Sequence, residues 1–508
     1  MLKKVQSIIF LVIILFIHST AVKASTYSRY YYGKKLTLNA PVIYNLEDGV
    51  IASSGESMRL KVRFMYEKQL FYANKVILKK NKVYLQNGFL GSSKKSTFTG
   101  DELVYNLENN YFDGKDMEVT SGLLKISTKR LYFYGERIDF QEAKFGLTFF
   151  DLKLKMDKIF IYPGWAVIKN FDIGTEDQTY YRIPVWVLDM RRNAFEIPYP
   201  LPQAGSSIQR GNYLLLNNHY YFNEVFYGFF RMGTAQRKGA MAGVGQIVRL
   251  GDQDQFYLGG DFWQWAEPQL KAEYNHSFMK LPYRQKRLTF GEMLEYNKTV
   301  KDLDSSDIRT TFTKREIIND EYVDRDMEFS YKGHFGLTSK LDLDLDLASG
   351  HIYEYSSDLR AMRTNSNFNF SYLYPLGWFD PLWWGVGYNR SDYDLKPFTW
   401  QRLYGTVAWE REFWFFLLGI KYTHYFHDKG GSPFIFDQKY VVNNNIIYNL
   451  RIGKKAYHLG AKFLADVKIN KLVDTTYYLG WTFSGWQLEM QYSTQREALS
   501  MGVQVDLF

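Results

Sequence analysis

The sequence contains no cysteine. Disulfides, thiolate-bound metals, a cysteine nucleophile and a lipidated N-terminal cysteine are thereby excluded, so packing and strand pairing alone must hold the fold, even in an oxidising compartment. Proline is sparse and glycine no more than ordinary, 12 and 38 among 508 residues, which excludes a collagen-like or low-complexity chain. Long apolar runs are missing after the first 24 residues: the best candidate, Phe413 to Ile420, falls far short of the roughly 20 residues a spanning helix needs. No glycine-rich nucleotide loop, nucleophile elbow or metal-binding helix motif occurs. The eight histidines are scattered; His424 and His427 are close neighbours, but in a strand-and-turn stretch where a surface or luminal position explains them better than a metal. We therefore expect no enzyme, no cofactor, no metal site and no nucleic-acid partner.

What is present begins with a leader. Lys3 and Lys4 precede a ten-residue apolar run, Ile8 to Ile17, and Val22-Lys23-Ala24 suits signal peptidase, with cleavage after Ala24. The run is too short to favour a retained anchor. Aromatic residues make up 18% of the chain, with 41 Tyr and 39 Phe, and mean hydropathy is negative. An exported chain of that composition, without a spanning helix, fits an outer-membrane barrel, whose strands show one face to lipid and the other to a wet lumen. The formal charge of +9 suits contact with anionic lipid or glycolipid phosphates, or serves only solubility.

Three zones follow the leader: 25–150, a connector over 151–204, and 205–508. In the first, Ile43-Tyr44-Asn45-Leu46-Glu47-Asp48-Gly49 recurs as Val104-Tyr105-Asn106-Leu107-Glu108-Asn109-Asn110, each copy a strand, a polar turn and a strand. Such a repeat predicts a stacked β-array in which each layer buries its neighbour's face. The connector is punctuated by Pro163, Pro184, Pro198, Pro200 and Pro202, residues that cannot donate to a ladder and so mark edges and crossings. It still contains strand, for example Tyr180 to Leu188. The third zone alternates with period two. In Leu341-Asp342-Leu343-Asp344-Leu345-Asp346-Leu347 every Leu points one way and every Asp the other, and Asn367 to Tyr374 and Leu488 to Ser493 repeat the pattern. Trp378-Phe379, Trp383-Trp384 and Phe413 to Phe416 suit interfacial girdles. About 300 residues at roughly 20 per strand and turn predict about 14 to 16 strands. The carboxylates between Asp302 and Asp326 read as a long external loop. Phe508 closes the chain as a barrel-assembly signal would, although the apolar set Met501, Val503, Val505 and Leu507 has the opposite parity.

The order of several segments resembles the LptD/OstA family, the outer-membrane lipopolysaccharide-assembly proteins. Leu103-Val104-Tyr105-Asn106-Leu107 and Phe112-Asp113-Gly114 resemble its periplasmic β-jellyroll. Ile183-Pro184-Val185-Trp186-Val187-Leu188 resembles the segment leaving the jellyroll. Pro200-Leu201-Pro202-Gln203-Ala204-Gly205-Ser206-Ser207, with Gly211, resembles the start of the barrel, and Tyr220-Tyr221-Phe222-Asn223 and Arg237-Lys238-Gly239 the strands after it. The likeness covers residues 40 to about 245. It implies an all-β chain: an OstA-like jellyroll in the periplasm, then a transmembrane antiparallel barrel. It implies that acyl chains ride a groove at Val104, Leu107 and Phe112. They then leave through a lateral seam with hinge residues Pro198, Pro200, Pro202, Gly205 and Gly211. It implies lipopolysaccharide or a related glycolipid as cargo, with an LptA-like bridge jellyroll, an LptE-like plug lipoprotein and the barrel-assembly machinery as partners. The sequence departs from the family in lacking inter-domain cysteines, in its smaller barrel, and in carrying His219 where a second seam proline is expected. The alternatives are a porin-like diffusion channel with a periplasmic accessory domain, and a surface-structural or adhesin role.

Overall fold

Two-residue alternation becomes strand almost throughout the computed structural model, which describes residues 25–54, 61–66, 69–93, 96–121, 124–135, 137–145, 153–175, 178–191, 194–195, 197–251, 253–278, 288, 290–300, 305–374, 382–395, 398–442, 444–454, 457–483 and 486–505. The leader and Phe508 lie outside the described residues. The described chain separates into two units, one formed by residues up to Gly146 with Lys158–Pro163 and Arg287–Glu295, the other by the remainder.

The first unit is an antiparallel sheet. Ser25–Tyr31, Lys34–Ala40, Val62–Tyr66, Gln69–Lys79, Lys82–Ser93, Ser96–Gly100, Tyr111–Ser121, Leu124–Phe133 and Ile138–Phe145 lie edge to edge, and the strands Val42–Leu46, Gly49–Ser53 and Glu102–Asn106 join off that path. Both repeat copies form hairpins: Val42–Leu46 pairs with Gly49–Ser53, and Glu102–Asn106 with Tyr111–Ser121. In the second copy the Asn106 side chain accepts the Glu108 N–H at 2.9 Å, a local turn bond that ends the strand. Alternate residues enter one apolar interior. Phe71 lies 5.5 Å from Phe98, and Phe112 5.4 Å from Phe133. Each such ring contributes about 1.5–3 kcal/mol on leaving water. A helix, Phe290–Thr299, made between two barrel strands, adds Phe290 to this interior at 5.2 Å from Phe112 and 5.3 Å from Phe98.

The second unit holds a hairpin, Trp165–Gly174 with Thr179–Asp189, and a closed antiparallel barrel of 18 strands from Gln203–Ser207 to Ala498–Val505. Pro184 sits inside the hairpin's second strand, the last in its sheet, where a missing N–H costs no ladder bond. The barrel has more strands than the 14 to 16 expected, because many connections are tight turns. At Asn319-Asp320, for example, both residues adopt positive φ, 48° and 63°, the geometry that matches strand twist in a two-residue hairpin. This is the fold of an outer-membrane-type β-barrel. Outward residues are apolar: Phe230, Leu258, Val407 and Leu459 are 48–60% exposed. Inward positions carry paired charge. Arg231 meets Asp261 at 2.7 Å, and Arg309 meets Asp307 at 2.7 Å and Glu273 at 3.0 Å. The Leu-Asp alternation registers as expected: Asp344 bonds His334 at 2.7 Å and lies opposite Asn369, while Leu343 and Leu345 lie opposite Phe370 and Phe368. The expected acidic external loop is corrected. From Ser305 on the run belongs to paired strands, Ser305–Ile318 and Glu321–Thr338, whose carboxylates meet Arg309, Lys314 and Arg325; Asp307 and Glu316 take the inward face and Asp324 and Asp326 the opposite one, while Asp302 and Asp304 lie outside the described residues.

Candidate functional site

The barrel's first strand is its shortest element, five residues. It pairs along its whole length with the next strand, from Gln203 opposite Leu215 to Ser207 opposite Gly211. With the last strand it pairs, among the described residues, at one position only, Ser206 opposite Leu499. Elsewhere the ladders run on: Tyr213 to Tyr221 lie opposite Ala235 to Tyr227 without a break, and Trp486 to Ser493 opposite Val505 to Ala498. Each ladder bond contributes roughly 0.5–1.5 kcal/mol net in water and more in hydrocarbon, so this join is the weakest in the wall. At it, the Leu499 N–H donates to Ser206 Oγ at 3.4 Å, and a Cβ on Gly205 would stand 2.4 Å from the Leu499 carbonyl oxygen. Only glycine allows that approach.

The connector is fastened beside this join. On Gly211–Tyr221 the inward set Leu215, Asn217 and His219 is buried, while Leu214 points out. His219 Nδ1 accepts the Val187 N–H at 3.0 Å and its Nε2 lies 2.6 Å from the Pro198 carbonyl oxygen, so the neutral Nε2–H ring bridges the hairpin strand and the proline segment of the connector. Asn217 Nδ2 donates to the Tyr199 carbonyl at 3.1 Å, and Arg231 Nε to Asn217 Oδ1 at 3.1 Å. Trp165 stacks on Tyr227 at 5.9 Å, with the Arg249 guanidinium 5.0 Å from its ring. Asp189 and Arg191 form a buried pair, Oδ1 to Nε 2.8 Å. Burial pushes the Asp189 carboxyl up, but the charges of Arg191 and Arg249 and the bonds from Arg191 outweigh it and hold the group below the usual carboxylate range.

The far end of the barrel, opposite the connector, carries a strap. Between Phe416–Gly430 and Asn445–Lys454 the chain folds inward. Phe434 and Phe436 pack among Val323, Ile352, Ala361 and Tyr393. The Glu354 carboxylate accepts the N–H groups of Ile435 at 3.0 Å and Phe436 at 2.8 Å, and Asp437 meets Arg363 at 2.7 Å.

The expected hinge residues separate in space. Gly205 lies on the join, and Pro202 directly precedes the first strand. Pro198 and Pro200 belong to the fastened connector, where Pro198 lends its carbonyl to His219. Gly211 lies across the first turn from the join, at φ +65°. Of the expected groove residues, Leu107 and Phe112 are buried inward. Val104 takes the opposite face from its neighbours Leu103 and Tyr105, which are the buried positions of that strand. His219 and Leu499 were not anticipated as functional. The inward parity of Leu215, Asn217 and His219 was the available signal for the first. Among the described residues no group of carboxylates and histidines is placed to hold a metal.

No family model and no curated protein matches the sequence. Among solved structures, the P pilus usher (PapC) translocation pore aligns at 8% identity over 94% of this chain and 96% of that one, with a TM-score of 0.23. An E. coli P pilus tip assembly intermediate, PapC-PapD-PapK-PapG, aligns at 8% identity over 95% of this chain and 59% of that one, with a TM-score of 0.20. Likeness at that level assigns neither family nor function.

Proposed function

We propose that the chain is an outer-membrane translocon, not an enzyme, that inserts lipopolysaccharide or a related glycolipid into the outer leaflet. Acylated cargo rides the interior of the first unit, an OstA-like jellyroll in the periplasm, and leaves through the join between the first and last barrel strands while its head group crosses the lumen. The observation that carries this reading is the single pairing of Ser206 with Leu499, beside a connector fastened through His219. A wall held by one pair parts at low cost, and its short first strand exposes little backbone on opening. An LptA-like bridge jellyroll would deliver cargo, an LptE-like lipoprotein would occupy the lumen, and the barrel-assembly machinery would insert the chain.

The absence of cysteine makes the test clean. Ser206→Cys with Leu499→Cys staples the join, and Gln491→Cys with Ser500→Cys, paired in the neighbouring ladder, serves as control. Oxidation should halt glycolipid delivery to the cell surface in the first variant alone, with recovery on reduction. Normal delivery through an oxidised join would sink the proposal. The charged lumen favours the second reading, a diffusion channel; in that case the stapled barrel conducts ions and small solutes as before and delivers no glycolipid in either state.

A further inference from the structure

Lys238 is a buried cation without an anion. It sits in the turn between Phe226–Ala235 and Gly239–Arg249, at the barrel end away from the connector, and is 3% exposed. Its ammonium faces two rings, 5.1 Å from the centroid of Trp263 and 5.1 Å from that of Tyr322. Among the described residues its Nζ makes no hydrogen bond and no ion pair, so three N–H donors are uncommitted. Two more cations share those rings. The Arg210 guanidinium is 5.9 Å from Trp263 and 5.2 Å from Tyr213. The Arg315 guanidinium is 6.0 Å from Tyr322 and 4.3 Å from Tyr355. Gln209 Nε2, donating to the Asp320 carbonyl at 2.6 Å, ties the turn carrying Arg210 to the turn beyond Arg315. The nearby carboxylates are committed: Asp261 to Arg231 at 2.7 Å, and Glu267 to Arg315 at 2.7 Å.

Three cations meet in one corner: Lys238 and Arg210 are held by ring faces with their donors free, and Arg315, also held by ring faces, gives its Nε to Glu267 and keeps its terminal nitrogens. Cation–π contact positions a charge without saturating its N–H groups. From this geometry we infer that Lys238, Arg210 and Arg315 form an oxyanion site inside the barrel, fitted to a phosphate monoester or diphosphate. Two cationic forks and a rotating ammonium match the several oxygens of such a group better than a single carboxylate or a halide. Burial, then the charge of Arg210, opposed by Asp261 and aided by Arg315, depress the Lys238 amine to about 8. A bound anion reverses that bias, and affinity declines as pH rises through that value. The site stands independently of the translocon reading; only the identification of its ligand as a cargo head-group phosphate rests on it.

The test is calorimetry on the full chain in detergent, with inorganic pyrophosphate as probe at pH 7. Wild type should bind, K238M and R210Q should each weaken binding about tenfold or more, K238R should restore most of it, and K340M, at the other barrel end, should leave it unchanged. Retained barrel migration on unheated gels confirms folding; if K238M fails there, R210Q, in a partly exposed turn, carries the test. Absence of pyrophosphate binding up to millimolar concentration, or binding unmoved by K238M and R210Q, overturns the site. Glucosamine 1-phosphate against inorganic phosphate then separates the sources. Tighter binding of the sugar phosphate supports a glycolipid head group. Equal binding supports the site and detaches it from the translocon reading, whose own test is the stapled join.

Discussion

At the scale of single residues, the connector is held by a few groups that have little freedom to change. His219 satisfies one donor and one acceptor of the connector backbone with one ring. Asp189 lies between Arg191 and Arg249, and both lower its pKa. Because the folded value is depressed, the pair's contribution is fully present above the unfolded value of about 4 and is lost as pH falls through the lower, folded value. Asp189→Asn should cost about 3–5 kcal/mol at pH 7, since it leaves buried guanidinium charge without its carboxylate. Urea unfolding followed by tryptophan fluorescence, from Trp165 and Trp186 among others, should show a lowered midpoint at pH 7. The gap between wild type and variant should narrow as pH falls below the usual carboxylate range, and a gap that stays constant with pH would assign the loss to packing instead.

At the scale of elements, the two ends of the barrel differ in how they are closed. The connector end is occupied by the hairpin and the proline segment held on the inner wall. The far end is crossed by the strap that carries Phe434 and Phe436. Glu354 is its fixed point: it accepts two strap N–H groups and is fully buried. Glu354→Ala removes both acceptors, at roughly 1–3 kcal/mol for each group left unsatisfied. Phe434→Ala removes a buried ring at about 3–5 kcal/mol. Either change should free the strap while the strands stay paired. Planar-bilayer recording should then show higher and noisier conductance than wild type. Unchanged conductance would mean that the strap does not limit passage, and that the hairpin at the other end does.

At the scale of the whole molecule, the outward apolar belt and the inward charge pairs predict that substitutions sort by face. Val407→Lys, on the outward face, should impair membrane insertion by about 2–4 kcal/mol if it lies near the midplane. Asn369→Lys, inward and opposite Asp344, should assemble normally. Heat-modifiable gel migration of the two variants measures the difference, and equal behaviour would contradict the assignment of faces. Much of this arrangement was legible in the sequence. Period-two alternation over Leu341–Leu347 and Asn367–Tyr374 gave the strands and their faces, since a side chain's face depends only on parity along one strand. The repeated Tyr-Asn-Leu units gave two hairpins, because Asn, Asp and Gly accept turn geometry locally. The acidic stretch is less legible, because charge alone does not tell a loop from a strand: Asp307 meets Arg309 on its own strand, and Asp324 and Asp326 meet Lys314 across the ladder. Strand number escaped because it depends on how tightly each turn closes. The join unites Ser206 and Leu499, 293 positions apart, the His219 bridge spans 21 and 32 positions, and Lys238 meets Trp263 and Tyr322 from 25 and 84 positions away. The sequence by itself determined an all-β chain of alternating strands with a polar face, because those are local properties. Closure of the wall, the place where it is weakest, and which charges meet inside it were decided only by the tertiary structure, because they depend on the register in which distant strands come together.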